Sequence, residues 1–380
     1  MSSLYLHIPY CEKKCIYCDF YSIENMGSME LFLAALHKEI CLYAERYAPL
    51  STFETIFFGG GTPSLLPPST LENILHELRS NFRVTDDAEI TVETNPGTVT
   101  LEKLRAYRAM GVNRLSIGIQ SFHPDELQFL SRIHSADEAV ECVENARRAG
   151  FENISVDLIF SLPNQTLERW KENLRRALSL RPKHISAYSL IVEEHTPLFT
   201  MVQNRMVSPL PEEVDADMYS ATIQMMGEQG FRQYEVSNYA LPGYECRHNK
   251  NYWNHSNYLS FGPSAHSFWK EGTTNGSRWW NVRSIAQYHE ALSTGKLPVA
   301  GSEAVDKGKM FDEAIFLGLR TGELSIAMLQ QLYGVDMIAT HGTLLKTFSD
   351  EDLLTVGNRS IKLTRKGFLM CDAIAEALLL

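Results

Sequence analysis

Six short apolar runs, rich in β-branched residues, alternate with helical patterns along the first half of the chain. The runs occupy residues 4–8, 55–60, 90–93, 115–120, 154–160 and 184–190, and the helical patterns occupy residues 29–47, 69–80, 100–110, 136–149, 166–180 and 212–230. Such alternation is typical of βα units with right-handed crossovers around a parallel sheet. The sequence therefore predicts an α/β fold, a partial (β/α)6 barrel whose chemistry lies at the carboxyl ends of its strands.

The pattern changes in the second half of the chain. Glycine and proline become frequent over residues 242–276, which predicts a long ordered loop region. Helical patterns at residues 310–332 and 335–348 precede a hairpin candidate that turns at Gly357 and Asn358. We predict a barrel over residues 1–200, a connecting helix and loop region over 201–300, and a mainly helical, winged-helix-like domain over 301–380.

The charge balance restricts the partners of this chain. Its 35 Lys and Arg residues against 46 Asp and Glu residues give a net charge of −11, which disfavours binding to nucleic acid or to an anionic membrane. No apolar run approaches the ~18 residues of a membrane helix, and the first residues lack a signal-peptide pattern. These features predict a cytoplasmic protein without a transmembrane segment.

Three of the seven cysteines lie within eight positions, as Cys11, Cys15 and Cys18. Thiolates at this C-x3-C-x2-C spacing can surround one metal centre. A structural zinc ion needs four ligands, and His7 could complete such a set. A [4Fe–4S] cluster held by three cysteines would instead leave one iron open for a ligand. The density of cysteines favours the iron–sulfur cluster.

Polar residues and glycines follow the predicted strands. The sequence FFGGGTP at residues 57–63 ends the second run, and glycines at this position allow the backbone to approach a ligand closely. Glu93, Gln120 and Asp157 lie at or near the ends of three further runs. Because these ends meet at one edge of a parallel barrel, we expect the three side chains to line a common binding site.

The cysteine spacing resembles the signature of the radical S-adenosylmethionine enzymes, in which the open iron binds S-adenosylmethionine. The segments YLHIPYCEKKCIYCDF, GGGTPS, GVNRLSIGIQSF, SVDLIFSLPNQT and GPSAHS together resemble the oxygen-independent coproporphyrinogen III oxidase family over nearly the whole chain. This resemblance implies a cluster on the three cysteines. It also implies contacts to S-adenosylmethionine from Tyr5, Tyr17, Gly60, Gly61, Thr62, Glu93, Gln120, Arg132, Asp157, Ile191 and His266.

Two departures argue against the oxidase activity itself. Phe20 stands where the oxidases have a fourth cysteine, and the chain begins almost at its first strand, where the oxidases carry an N-terminal extension. The segment RHNKNYWNH at residues 247–255 contains an HN-x-x-YW pattern. This pattern resembles the haem-binding motif of the haem-chaperone branch, which also carries phenylalanine at the position of Phe20.

The branch resemblance implies a haem chaperone that binds haem through His248 and passes it to an acceptor, with a respiratory haem protein as one candidate. His255, His266 and Cys246 are further candidate iron ligands. Two alternatives stay open. One is the oxidase, which would need cationic anchors for a tetracarboxylate, with Arg247 and Arg278 as candidates. The other is a zinc-binding structural protein with a winged-helix-like tail.

Overall fold

The computed structural model describes residues 2–379, and strands alternate with helices in its first half. The strands are β1 (Ser2–Ile8), β2 (Phe53–Gly60), β3 (Val84–Thr94), β4 (Arg114–Gln120), β5 (Asn153–Phe160) and β6 (His184–Ser189). The helices are α1 (Met29–Tyr47), α2 (Pro68–Asn81), α3 (Leu101–Met110), α4 (Pro124–Phe129), α5 (Ala136–Arg148), α6 (Leu167–Ser179), α7 (Pro197–Gln203) and α8 (Glu212–Glu228). The predicted βα alternation is confirmed.

Strands β1 to β6 are parallel and adjacent in sequence order. Their side chains alternate between two faces. Leu6 and Phe58 pair in register and are fully buried in the main hydrophobic core, together with apolar residues of the helices. The opposite face is polar and carries Thr55 and Asp157. Because the six strands run in the same direction, their carboxyl ends form one edge of the partial barrel.

The second half extends the same sheet. It contains β7 (Arg232–Gln233), β8 (Asn238–Ala240), α9 (Arg247–Trp253), β9 (Asn257–Phe261), β10 (His266–Lys270), β11 (Gly276–Asn281), α10 (Ile285–Ser293) and β12 (Val299–Val305). Within residues 2–379 the strand order of this sheet is β12-β11-β10-β9-β1-β2-β3-β4-β5-β6-β8-β7. The prediction of a long loop over residues 242–276 was wrong, because this segment holds a helix and pairs with β1 through β9.

A smaller unit follows the main sheet. It comprises α11 (Lys307–Arg320), β13 (Glu323–Leu324), α12 (Ile326–Tyr333), α13 (Met337–Asp350), β14 (Leu354–Val356), β15 (Ile361–Leu363), α14 (Arg365–Leu369) and α15 (Cys371–Ala377). The predicted hairpin is confirmed, since β14 pairs with β15 and Gly357 N donates to the Ser360 carbonyl at 2.9 Å. The helical patterns at residues 310–332 and 335–348 form three short helices, because Gly322 turns the chain at φ +79° between the first two.

Buried and half-buried polar side chains connect the parts of the molecule. The Glu39 carboxylate of α1 is fully buried and accepts hydrogen bonds from Gly262 N, Asn281 Nδ2 and the Tyr288 hydroxyl. On the main sheet, Arg278 of β11 forms an ion pair with Glu313 of α11 at 2.8 Å.

No helix within residues 2–379 combines the length and the apolar character that crossing a membrane requires.

Candidate functional site

The three clustered cysteines lie in the loop that leaves the carboxyl end of β1. Cys11 is buried, whereas Cys15 and Cys18 are partly exposed. The loop is fixed at its base, where Cys11 N donates to the Ile23 carbonyl at 3.0 Å. A further backbone hydrogen bond joins Cys18 N to the Cys15 carbonyl at 3.2 Å. The sequence thus places three thiols at the edge where a barrel of this kind carries its chemistry.

Two side chains from other strand ends donate hydrogen bonds to these sulfurs. The Thr62 hydroxyl lies 3.7 Å from Cys11 Sγ, and Arg132 Nη1 lies 3.6 Å from Cys15 Sγ. Asn95 connects the two donors, because its Nδ2 donates to Thr62 Oγ1 at 3.0 Å and its Oδ1 accepts from Arg132 Nη2 at 2.5 Å. Donors of this kind stabilise thiolate ligands of a metal centre. Sequence reasoning missed Asn95, although it directly follows the third strand.

The arrangement does not fit a tetrahedral zinc site completed by His7. Both nitrogens of His7 have partners, since Nε2 contacts the Tyr21 carbonyl at 2.7 Å and Nδ1 lies 3.4 Å from the Tyr5 hydroxyl. The donor set fits a multi-iron cluster on the cysteines alone.

The glycine motif holds the cysteine loop against the end of β1. Gly61 N donates to the Ile8 carbonyl at 2.8 Å, and Thr62 N donates to the Tyr10 carbonyl at 2.7 Å. A Cβ at Gly61 would lie 2.6 Å from the Tyr10 carbonyl oxygen. Gly60 has φ +103°, and a Cβ there would lie 2.6 Å from His7 Nδ1. Close approach of backbone therefore requires glycine at both positions.

Two carboxylates face the interior near the same edge. Burial, together with the charge of nearby Asp157, raises the pKa of Glu93 to about 8. Asp157 accepts hydrogen bonds from Ser186 at 2.7 Å, Ser116 at 2.9 Å and Ser155 at 3.2 Å. Burial raises the pKa of Asp157, and the three hydroxyls oppose that shift. Sequence reasoning missed the serines, although each lies at an inward position of β4, β5 or β6.

Gln120 carries the clearest sign that this edge takes a ligand. Its backbone has φ +67°, a strained conformation for a residue with a side chain. Its Oε1 is buried and has no donor among the residues that the structure describes. Next to it, Arg132 Nη2 donates to the Gly118 carbonyl at 2.7 Å. A buried acceptor without a donor, beside a cation and a cysteine loop, fits a bound polar cofactor.

The other residues assigned to S-adenosylmethionine divide into two groups. Tyr5 packs inside the barrel, stacked on Phe57 with ring centroids 6.1 Å apart. Tyr17 is half-buried and packs against a small apolar cluster near Arg132. Ile191 is 65% exposed, and His266 is also exposed, so these two residues lie on the rim of the site. The structure thus brings the predicted residues to one edge but leaves two of them facing solvent.

His248 lies deeper inside the barrel, with its ring centroid 4.9 Å from that of Phe57 and 6.3 Å from that of Tyr5. It is 1% exposed on α9, where its Nδ1 contacts Thr55 Oγ1 at 2.7 Å and its Nε2 contacts the Tyr252 hydroxyl at 3.0 Å. Burial lowers the pKa of His248 to about 3, so the imidazole is neutral. Thr55 lies five residues before Gly60 on β2, which corresponds to a distance of about 16 Å along the strand. His248 therefore lies toward the amino ends of the strands, and in this conformation neither ring nitrogen is free for haem iron.

Two family models match the two parts of this chain. The model of the Radical SAM superfamily matches residues 5–177, and the model of the HemN C-terminal domain matches residues 307–370. The solved structure of the coproporphyrinogen III oxidase HemN from Escherichia coli, described as a radical SAM enzyme, superposes with a TM-score of 0.84. Its sequence is 24% identical, and the match covers 100% of this chain and 90% of that one. This likeness shows the fold.

Curated relatives extend the match to the whole chain. The "Heme chaperone HemW" of Bacillus subtilis (strain 168) is 36% identical over 384 residues, which is 100% of this chain and 99% of that protein. The protein of the same name from Lactococcus lactis subsp. lactis (strain IL1403) is 33% identical, with 100% and 97% covered. The expected relationship to the radical S-adenosylmethionine family is confirmed. The chain belongs to the HemW family within the radical SAM superfamily.

Proposed function

We propose that this protein is a cytoplasmic haem chaperone that holds a [4Fe–4S] cluster with S-adenosylmethionine, binds haem and passes it to an acceptor haem protein. The observation that carries the proposal is the full-length relationship to proteins named as HemW haem chaperones. The site supports it, because three cysteines lie at the barrel edge and Phe20 occupies the position of a fourth.

Different residues at the edge would hold the cluster and S-adenosylmethionine. Cys11, Cys15 and Cys18 would ligate the cluster, and Thr62 and Arg132 would donate hydrogen bonds to the sulfurs. A bound cluster supplies an open iron that chelates the amino and carboxylate groups of S-adenosylmethionine and can transfer one electron.

Two groups at the strand ends would orient the cofactor. Gln120 Oε1, which has no donor among the described residues, can accept a hydrogen bond from it. Glu93 can accept hydrogen bonds at both oxygens once it is deprotonated, and the pKa of about 8 makes that proton easy to displace near neutral pH.

The oxidase alternative lacks free cations at the two positions considered for it. Arg247 donates to the Asp87 carbonyl at 2.8 Å and pairs with the Asp87 carboxylate at 3.4 Å. Arg278 pairs with Glu303 and Glu313, both at 2.8 Å. A tetracarboxylate substrate would have to displace the two carboxylates that hold the half-buried Arg278. The exposed Arg247–Asp87 pair is weaker and opposes such a substrate less. Anaerobic turnover assayed for carbon dioxide and protoporphyrinogen separates the two functions, and sustained product would overturn the chaperone proposal.

The zinc alternative, with His7 as the fourth ligand, conflicts with the partners that both His7 nitrogens have. Metal analysis of anaerobically purified protein distinguishes it directly. About one zinc per chain without acid-labile sulfide would select the zinc protein, whereas iron with an equal amount of sulfide would select the cluster.

Delivery of haem is tested by transfer to an acceptor. The protein is loaded anaerobically with one equivalent of haemin, freed of unbound haem and mixed with the apo form of a respiratory b-type haem protein. We expect the acceptor's absorption spectrum to develop while the donor's Soret band declines. The acceptor is used at concentrations at which it competes with serum albumin for haem. If the donor keeps all of its haem under these conditions, the chaperone role is contradicted.

A further inference from the structure

We propose that haem binds at the carboxyl-end rim of the barrel with His266 as an axial ligand to its iron. The surface consists of His266, Trp280, Phe20 and Arg283, and we call it the rim surface. This inference rests on the proposed haem-chaperone function, and it assigns the haem iron to a residue other than the histidine of the HN-x-x-YW motif. It gives the His266 imidazole to haem in place of the contact to S-adenosylmethionine that the family resemblance implies.

The imidazole of His266 is free to bind a metal. It is the first residue of β10, it is exposed, and neither ring nitrogen has a hydrogen-bond or ion-pair partner among residues 2–379. Its ring stacks on Trp280 with centroids 5.9 Å apart and planes inclined by 22°. The two residues also face each other in the β10–β11 register. The tryptophan thus fixes the orientation of a solvent-facing imidazole.

Sheet topology places His266 at the edge that carries the cysteine loop. β9 runs parallel to β1, so both strands end at this edge, and β10 starts from it in the opposite direction. Partial burial lowers the pKa of His266, and the charges of Arg278 and Arg283 lower it further. The imidazole is therefore neutral at physiological pH, as ligation of iron requires.

The rim surface matches the chemistry of haem, which combines an apolar macrocycle with two carboxylates. Phe20 is 65% exposed directly after the cysteine loop, so an aromatic ring faces solvent there. Arg283 donates to the Asp19 carbonyl at 2.8 Å and lies 3.4 Å from the Asp19 carboxylate, and its side chain is 57% exposed. An exposed ion pair of this kind is weak, so the guanidinium can bind a propionate.

The other candidate ligands lack free, accessible donor atoms. Both ring nitrogens of His248 have partners inside the barrel. His255 Nε2 makes no hydrogen bond to any described residue but is buried 2.9 Å from the Glu313 carboxylate, and its ring stacks on Phe268 at 4.7 Å. Cys246 is fully buried, with its thiol 3.4 Å from Glu89 Oε1. Of the four residues that the sequence offered as haem-iron ligands, His266 is the one that has an unpaired ring nitrogen at the surface of the described chain.

The experiment is a haemin titration of the anaerobically reconstituted full chain, comparing wild type with His266→Ala, His248→Ala and the control His76→Ala. His76 is an exposed histidine on the outer helix α2. We expect His266→Ala to weaken haem binding at least about tenfold and to change the Soret maximum. His248→Ala and His76→Ala should retain the wild-type affinity and spectrum, with unchanged iron and sulfide content confirming an intact cluster.

A ligand exchange gives a second readout. His266→Cys should restore tight binding with the absorption and electron paramagnetic resonance signature of thiolate-ligated haem, which a merely structural role of His266 would not produce. The inference is overturned if His266→Ala binds haem as wild type does, or if His248→Ala alone loses the wild-type spectrum. If the wild-type protein binds no haem at all, the proposed function itself fails, and the two failures are distinguishable.

Discussion

The hydroxyl of Tyr252 lies 3.0 Å from Nε2 of His248, so two residues of the HN-x-x-YW motif form a hydrogen bond with each other inside the barrel. Thr55 occupies the other ring nitrogen at 2.7 Å. Glu89 accepts from the backbone N of His248 at 3.1 Å and from Arg247 N at 3.1 Å, which fixes the start of α9 against β3. The motif therefore anchors a helix to the sheet in this conformation.

Tyr252→Phe tests this anchoring role. The substitution leaves His248 Nε2 buried without a partner, so we expect the free energy of unfolding to fall by about 1–2 kcal/mol in chemical denaturation. Haem affinity should stay unchanged. If His248 were the iron ligand in this geometry, freeing its nitrogen would instead tighten haem binding. Tyr244→Phe, at a half-buried ring beside Lys183, serves as the control.

Arg132→Met tests the support of the cysteine loop. The change removes the donor that lies 3.6 Å from Cys15 Sγ and the hydrogen bond to Asn95. Loss of such an outer contact weakens metal retention by roughly 10–100-fold, and we expect a corresponding rise in iron lost to a chelator. Arg148→Met, at an exposed position of α5, should behave as wild type. Equal retention in both variants would show that Arg132 does not support the cluster.

Glu93 predicts a pH-dependent affinity for S-adenosylmethionine. Its pKa of about 8 means that the carboxyl is protonated at neutral pH and must lose its proton to accept hydrogen bonds from the cofactor at both oxygens. Affinity should therefore rise by up to about tenfold per pH unit below pH 8 and level off above it. Calorimetric titration between pH 6.5 and 9 measures this. Glu93→Gln should bind with a flat profile, and a flat wild-type profile would refute the assignment.

Glu39 predicts a pH dependence of stability. Burial raises the pKa of Glu39 to about 7, above its value in the unfolded chain, so the native state binds the proton more tightly. This contribution is complete below about pH 4.5 and is lost as the pH rises through about 7, a decline of up to about 3 kcal/mol. Glu39→Gln should flatten the pH profile of the unfolding free energy. Glu102→Gln, at an exposed position of α3, should keep the wild-type slope.

Local sequence patterns predicted the strands and helices of the first half because each element there carries its own periodicity. The runs ending at Glu93 and Gln120 are strands whose alternate residues enter one core, and that burial leaves a readable pattern. A local pattern also predicted the β14–β15 hairpin, because this hairpin depends on a local turn at Gly357.

The segment over residues 242–276 escaped prediction because its order depends on partners far away in the chain. β9 pairs with β1 across about 255 residues of sequence, and its sequence NYLSF contains only one aliphatic side chain. The burial of His248 likewise depends on Thr55, which is 193 residues away. No local pattern distinguishes an exposed ligand from a histidine held by such a contact.

The stoichiometry of iron, acid-labile sulfide and haem in anaerobically reconstituted protein tests the central claim most directly. We predict about four irons and four sulfides per chain, lost when Cys11, Cys15 and Cys18 are replaced by serine, and about one tightly bound haem after titration with haemin. Colourless protein that contains zinc without sulfide, or protein whose added haemin gives no Soret shift, would contradict the account.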